Sequence, residues 1–366
     1  MMRNRLRWLP AIAVPALIAA GVVAASASGD NQLPERSPAE VLALVAEHPD
    51  TSFSGTVEQE SELGLPEIPA EGQGAVPEAA EALEWLSGSH SVRVFADGPT
   101  RARFQVLDQL AERDVVVNGS HLWLYDSRGK TAVHVTLPAE YPSVSRLNPV
   151  DVAERLLTKL DASTAVALGT NVTVAGRAAY SLVLTPRTPD TLVGSVSVAV
   201  DGETGMPLSV SVLARGQNDP AISVAFTELS LQTPESALFE FTPPPGTDVT
   251  EHPIPEKPDA DTPQLDAPPP SDVPQHSDKP EVAEPPAPEP DDPILSGSDW
   301  TTVVELPAAS APTDLFSSPL FAQLTRAVDG GRLLSTALVN VLITDDGRVF
   351  VGAVPVHLLQ AAVTAQ

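Results

Sequence analysis

Apolar and polar residues alternate with period two over much of the chain. Val92 and Val94 flank Arg93, and Phe104 and Val106 flank Gln105. Val196, Val198 and Val200 alternate with Ser195, Ser197 and Ala199; Leu208, Val210 and Val212 with Ser209 and Ser211; Ile222, Val224 and Phe226 with Ser223 and Ala225. Successive side chains of a strand point to opposite faces, so each run predicts a strand with one apolar face. The first two runs predict strands over 91–96 and 101–107, and further strands are predicted over 52–60, 114–117, 121–125, 130–137, 166–170, 171–175 and 178–185. Asn118-Gly119, Ser127-Arg128-Gly129 and Asp201-Gly202-Glu203-Thr204-Gly205 separate strands as turn signals. About ten antiparallel strands in succession predict a barrel or a strongly curved sheet.

Helical spacing interrupts this pattern. Ser37-Pro38-Ala39-Glu40 places Ser at the N-cap, Pro at N1 and Glu at N3, and Val41, Leu42, Leu44 and Val45 follow as an apolar stripe. After a Pro/Gly-rich stretch (64–77), a helix is predicted over 78–86. A second opens at Asn148-Pro149-Val150-Asp151, with Val152, Leu156, Leu157 and Leu160 on one face. Such stripes must cover something apolar, and the concave face of the sheet is the expected place. The last seventy residues predict a strand over 301–306, a helix over 319–328, strands over 337–344 and 348–353 around Asp345-Asp346-Gly347, and a final helix over 356–363. So small a piece without disulfides is marginal alone and is expected to dock on the larger one.

Charge divides the chain into four blocks. Residues 1–29 carry +3, 30–242 carry −16, 243–293 carry −11 and 294–366 carry −3. In the first, Arg3, Arg5 and Arg7 precede the uncharged run Leu9–Ala25, and Ala25-Ser26-Ala27 offers an A-x-A cleavage pattern. This predicts a secretory signal or a retained signal anchor and leaves the choice open; either way the rest of the chain lies outside the cytoplasm. The third block holds 17 Pro and 13 Asp+Glu in 51 residues and predicts an unfolded spacer, because it has too little apolar surface to offset its ordering entropy. The reading is therefore an α+β chain, mainly antiparallel β: a half-open barrel of about ten strands with helices as a lid over 30–242, a disordered linker over 243–293, and a small C-terminal α+β segment over 294–366.

Net charge of −27 excludes nucleic acid as a partner. The absence of Cys excludes disulfides, thiolate metal sites, a Cys nucleophile and lipid attachment through Cys. No G-x-S-x-G, Walker A or G-x-G-x-x-G motif occurs, so neither an enzyme nor a cofactor is expected, and no catalytic or metal-ligating residue is assigned. His121 and His134 lie on neighbouring predicted strands, and an ordinary cross-strand pair outweighs a metal site there. Trp85 and Trp123 are candidates for a pocket wall, with ordinary core packing at least as good a reading.

The stretches starting at Phe53, and over 86–138, 174–187, 196–212 and 239–251, resemble the LolA-like lipoprotein carrier superfamily in its exported actinobacterial form, whose relatives include the RseB/MucB regulators of sigma factors. The order of elements carries the resemblance: helix, strands, helix, then a hairpin with an acidic Gly turn (Val196–Val212), then a Phe–Pro ending (Phe239–Glu251). It implies an unclosed barrel whose helices cover an apolar cavity. The first expectation is thus a non-catalytic carrier that holds an acyl lipid or the lipid of a lipoprotein. Its candidate lining is Val92, Val94, Phe104, Val106, Val196, Val198, Val200, Leu208, Val210, Val212, Ile222, Val224 and Phe226. The same residues read equally well as a filled core. The second expectation, from the RseB/MucB likeness, is an envelope sensor acting on a membrane anti-sigma factor or another envelope protein. A third is a structural wall-associated protein held out on the acidic spacer.

Overall fold

The computed structural model describes residues 33–46, 52–65, 88–108, 111–137, 162–253, 294–308 and 323–365. The export segment, the helices expected over 78–86 and after 148, and Trp85 lie outside these residues. No helix among the described residues is long and apolar enough to cross a membrane.

The fold is mainly antiparallel β with few helices. Strands β1 (Phe53–Ser61), β2 (Gly88–Ala96), β3 (Arg101–Asp108), β4 (Ala111–Asn118), β5 (His121–Asp126) and β6 (Thr131–Thr136) follow one another as a meander. Strands β7 (Thr164–Leu168), β8 (Val172–Val174), β9 (Arg177–Pro186), β10 (Val193–Asp201), β11 (Pro207–Ala214) and β12 (Pro220–Ser230) form the other half. β1 pairs with β12 and joins the halves. The sheet remains open: its path runs from β13 (Asp248–Pro253) at one edge to β7 at the other.

Three sequence expectations change here. The strands before residue 243 number twelve among the described residues, one for each run named above, rather than about ten. β13 falls inside the stretch assigned to the spacer and pairs in parallel with β6; its Val-Thr-Glu-His run is short, and the surrounding prolines mask it in a composition count. The hairpin between β4 and β5 turns on Gly119-Ser120, since Asn118 pairs with His121. Only Gly119 of that pair has positive φ, so the turn needs one permissive residue rather than two.

The sheet curls. β8 joins the edge of β9, four strand intervals from β12, or ~19 Å on a flat sheet. Yet β8 and β12 approach within 8 Å between Cα atoms. Val174 of β8 accordingly shares a core cluster with Val57, Val92, Phe104 and Phe226. A bulge in the β1–β12 ladder between Thr56 and Val57 adds local bending.

Helix α1 (Pro38–Ala46) starts as the sequence predicts. Ser37 Oγ accepts from the Glu40 amide at 3.3 Å, and Glu40 Oε2 accepts from the Ser37 amide at 2.6 Å. Val41 and Val45 are buried against β9 and β10 residues, including Tyr180, Leu182 and Val198. Beneath the helix the β10–β11 turn comes very close: a Cβ on Gly205, whose φ is +77°, would stand 2.2 Å from the Leu44 carbonyl oxygen. Gly205→Ala therefore combines a left-handed backbone cost of about 1–2 kcal/mol with a forced shift of α1. The expected result is a lowered urea midpoint with an unchanged slope.

The C-terminal residues form a second sheet in the order β14 (Ile294–Ser296), β15 (Val303–Leu306), β19 (Val349–Gly352), β18 (Asn340–Thr344), β17 (Gly331–Ser335) and β16 (Thr325–Val328). Helix α2 (Val356–Thr364) packs on it, burying Leu359 with Leu333, Leu342 and Phe350. The helix expected over 319–328 is not present at 325–328, which is β16. Asp329-Gly330-Gly331 turns this stretch back onto β17, with Gly330 at φ +84°, and that hairpin signal outweighs the weak helical spacing before it. The strand expected over 337–344 begins only at Asn340, because Thr336 Oγ1 closes residues 336–339 into a tight loop.

The second sheet docks on the first. Leu192 and Thr191 donate to the Ala353 carbonyl at 2.8 Å, Ala337 donates to the Leu63 carbonyl at 2.8 Å, and Trp300 Nε1 donates to Thr164 Oγ1 at 2.8 Å.

Candidate functional site

Strand register assembles the predicted apolar positions. Val94 pairs with Phe104 and Val92 with Val106. Val57, opposite Val92, faces Phe226 across the β1–β12 junction. Val224, Val210 and Val198 make one cross-strand row, and Ile222, Val212 and Val196 make the next. The rows continue onto β9, where Val198 pairs with Leu182 and Val196 with Leu184. On β1 the Phe226 row continues through Val57 to Val92 and Val106, whereas the Val224 and Ile222 rows meet Gln59 and Ser61, so the apolar positions gather in two clusters, one around Val92, Phe104, Val224 and Phe226 and one around Val196, Val198 and Val210. Leu208 and Val200 sit at the β10–β11 bulge and are also buried.

Eleven of the thirteen candidate lining residues are buried; Val212 and Ile222 are half-buried and directly opposite each other. Their place follows from what covers the face. α1 lies over the β10–β11 turn, where Leu33 and Leu44 touch Gly202 and Gly205. The second sheet meets the opposite strand ends, at Leu63, Thr164 and Leu192. Its Leu338, Ala337, Val339, Trp300 and Ala353 join the cluster containing Val193, Leu184 and Ala221. Val212 and Ile222 occupy the row nearest this second cover.

The α1 end is anchored by ions. Arg177 donates from Nε and a terminal nitrogen to Asp201 Oδ2 at 3.0 and 2.7 Å, and to Glu203 at 2.8 Å. The Asp201 carboxylate raises the already high Arg177 pKa further. Asp201, 1% exposed, is held by this cation. Sequence reading took the acidic Gly turn only as a turn; Arg177, at the start of the neighbouring strand β9 and 24 residues away in the chain, carries no local signal of the pairing.

The other face of β3 and β4 is polar and partly enclosed. Arg103 donates to Asp114 Oδ2 at 2.6 Å and to the Leu238 carbonyl at 3.3 Å, and Gln105 bonds Glu112. A short 3-10 turn (Ser236–Phe239) covers this group, with Phe239 buried. Burial pushes the Asp114 carboxyl up to about 6, against the pull of the Arg103 guanidinium. A raised folded-state pKa stabilises the fold fully below the unfolded value near 3.8, and this contribution is lost as pH rises through about 6. Asp114→Asn should flatten the pH dependence of the unfolding midpoint between pH 4 and 6.5, checked by thermal melts across that range. Beside this group, a shallow polar depression is lined by Thr56, Glu58, Ser91, Arg93, Gln105, Thr227 and Glu228.

His121 and His134 do meet: His121 Nδ1 lies 3.0 Å from His134 Nε2. His134 Nδ1 donates to Glu251 Oε2 of β13 at 2.7 Å, and Trp123 stacks on the His134 ring. Among the described residues no group of three or more His, Asp or Glu side chains is placed to hold a metal ion. The pair ties β13 to the sheet. Trp123 belongs to this tie, with Phe241 on it, and not to the aliphatic face.

The molecule is thus a mainly antiparallel α+β protein with one large open sheet, one face of which is aliphatic and covered at both ends. No family model matches the chain, and no curated protein matches it. Among solved structures it is similar to the MucA/MucB complex of Pseudomonas aeruginosa, at 17% identity over 88% of this chain and 96% of that one, with a TM-score of 0.45. It is also similar to a LolA superfamily protein from Nitrosomonas europaea, at 11% identity over 57% and 99% with a TM-score of 0.25. A putative outer membrane lipoprotein-sorting protein domain from Vibrio parahaemolyticus is similar at 10% identity over 55% and 97%, with a TM-score of 0.24. Both groups named by the sequence resemblance, LolA-like and MucB, are among these neighbours.

Proposed function

We propose that this chain is an exported, non-catalytic carrier that holds an acyl chain, free or as the lipid of a lipoprotein, against the aliphatic face of a half-open barrel. The observation that carries this reading is the aliphatic face that β9, β10, β11 and β12 share in register, with Val212 and Ile222 left half-buried at one end. The energetics suit the role. Each CH₂ removed from water contributes ~0.8 kcal/mol, so a 16-carbon chain represents roughly 12 kcal/mol. Competing with a membrane for such a chain needs comparable apolar cover and no reacting group. The basic, apolar N-terminus of the sequence delivers the protein outside the cytoplasm, with residues 254–293 as an acidic tether between the sheets.

Replacing a half-buried residue tests this without dismantling the core. Ile222→Gln should leave the circular dichroism spectrum unchanged and weaken binding of a fluorescent C16 fatty acid at least tenfold. Equal binding by both proteins would count against the site. The second reading, an envelope sensor acting on a membrane anti-sigma factor, draws on the docked second sheet, which a simple shuttle does not need. It expects a crosslinked membrane-protein partner in native cells; recovery of none would remove it.

A further inference from the structure

We propose that the loop between β17 and β18, with Trp300 beside it, is a stopper on the mouth of the aliphatic face, and that an acyl chain enters past Val212 and Ile222 when the stopper leaves. The inference rests on the acyl-chain reading above and adds its regulation.

The loop is built to present one side chain. Thr336 Oγ1 accepts from the Leu338 and Val339 amides at 3.3 and 2.9 Å and donates to the Val339 carbonyl at 2.9 Å, while the Thr336 amide donates to the same carbonyl. The Thr336, Leu338 and Val339 amides are thus satisfied within the loop, and only the Ala337 amide reaches across, to the Leu63 carbonyl. Leu338, at its tip, is 5% exposed although it belongs to a surface loop. What buries it is the other sheet: Leu338 shares a cluster with Val193, Leu184, Ala214 and Ala221. Of these, Leu184 belongs to the Val196–Val212–Ile222 row, and Val193, Ala214 and Ala221 stand at the strand ends next to it. A chain lying along that row would reach the same apolar contacts, so ligand and stopper compete.

The second sheet is free to leave as a unit. It has its own core of Leu333, Leu342, Phe350 and Leu359. The hydrogen bonds named above between the sheets are backbone or hydroxyl contacts that water can replace, with no ion pair among them. Residues 254–293, at up to ~3.5 Å each, allow displacement without straining the chain. Binding and departure are then two sides of one linked equilibrium.

A reversible lock on the full-length protein tests this. The chain has no Cys, so Leu192→Cys with Ala353→Cys introduces a single pair where the Leu192 amide meets the Ala353 carbonyl. The probe is a conjugated C18 fatty acid whose fluorescence rises in apolar surroundings. The oxidised pair should bind it at least tenfold more weakly than the same sample after reduction. Trp300→Ala, which loosens the seat from the outside, should bind it several-fold more tightly than the unaltered protein. Equal affinity in the oxidised and reduced states overturns the stopper while leaving the acyl-chain reading intact, and failure of the pair to oxidise overturns the seating itself. No probe binding by any form, reduced and Trp300→Ala included, overturns the acyl-chain reading and this inference with it.

Discussion

Val198→Asp should unfold the protein rather than merely empty its site. Val198 is fully buried, with Leu182 on one side and Val210 on the other. No cation stands in that row to receive a carboxylate. An unpaired charge at such a place costs several kcal/mol, and the group protonates or the fold opens. Against a total stability of about 5–15 kcal/mol, the expected loss of about 4 kcal/mol or more leaves little folded protein under mild denaturant. Val198→Ala is the control: it removes apolar contact without adding charge, should cost about 2 kcal/mol, and should stay folded. Parallel urea titrations of the two variants separate the effects. If Val198→Asp melts like the unaltered protein, Val198 faces water and the apolar face is misplaced.

The second large effect is expected at Arg177→Met. The aliphatic part of the side chain is kept, but Asp201 loses its cation while remaining 1% exposed. Removing one partner of a buried ion pair costs about 3–5 kcal/mol, since the other charge stays buried. The loss should be local first. The β10–β11 turn carries Gly202 and Gly205, on which Leu33 and α1 rest, so amide exchange at Val41 and Val45 should accelerate before the centre of the sheet opens. Asp201→Asn with Arg177→Met should recover part of the loss, because no buried charge is then left alone. A double variant no better than Arg177→Met would show that the turn does not depend on this pair.

The apolar face was legible in the sequence because strand side chains alternate with a fixed period. The Val196, Leu208 and Ile222 runs each announce one face, and register then aligns them in rows. The start of α1 was legible for a similar reason: Ser37 and Glu40 cap each other within four residues. Less was legible wherever the deciding contact is remote. β13 is a strand because β6 lies beside it, and Glu251 is fixed there by His134; nothing within its proline-rich surroundings marks it. β16 looked helical from its own residues and is a strand because Asp329-Gly330 folds it onto β17. Arg103, Asp114 and Leu238 come together across three elements, and the raised Asp114 pKa arises only from their burial.

The burial of Leu338 shows the same limit from the other side. The sequence places it in a strand over 337–344; it lies instead in the loop before that strand, and its partners Val193 and Ala221 belong to the other sheet, which no local pattern announces.

The most direct test of the central claim is native mass spectrometry of the full-length protein after incubation with vesicles containing a C16 acyl lipid. The account predicts a one-to-one complex with a single lipid molecule that is lost in Ile222→Gln. A spectrum showing only bare protein at every lipid concentration, from a sample that is folded by circular dichroism, would contradict it.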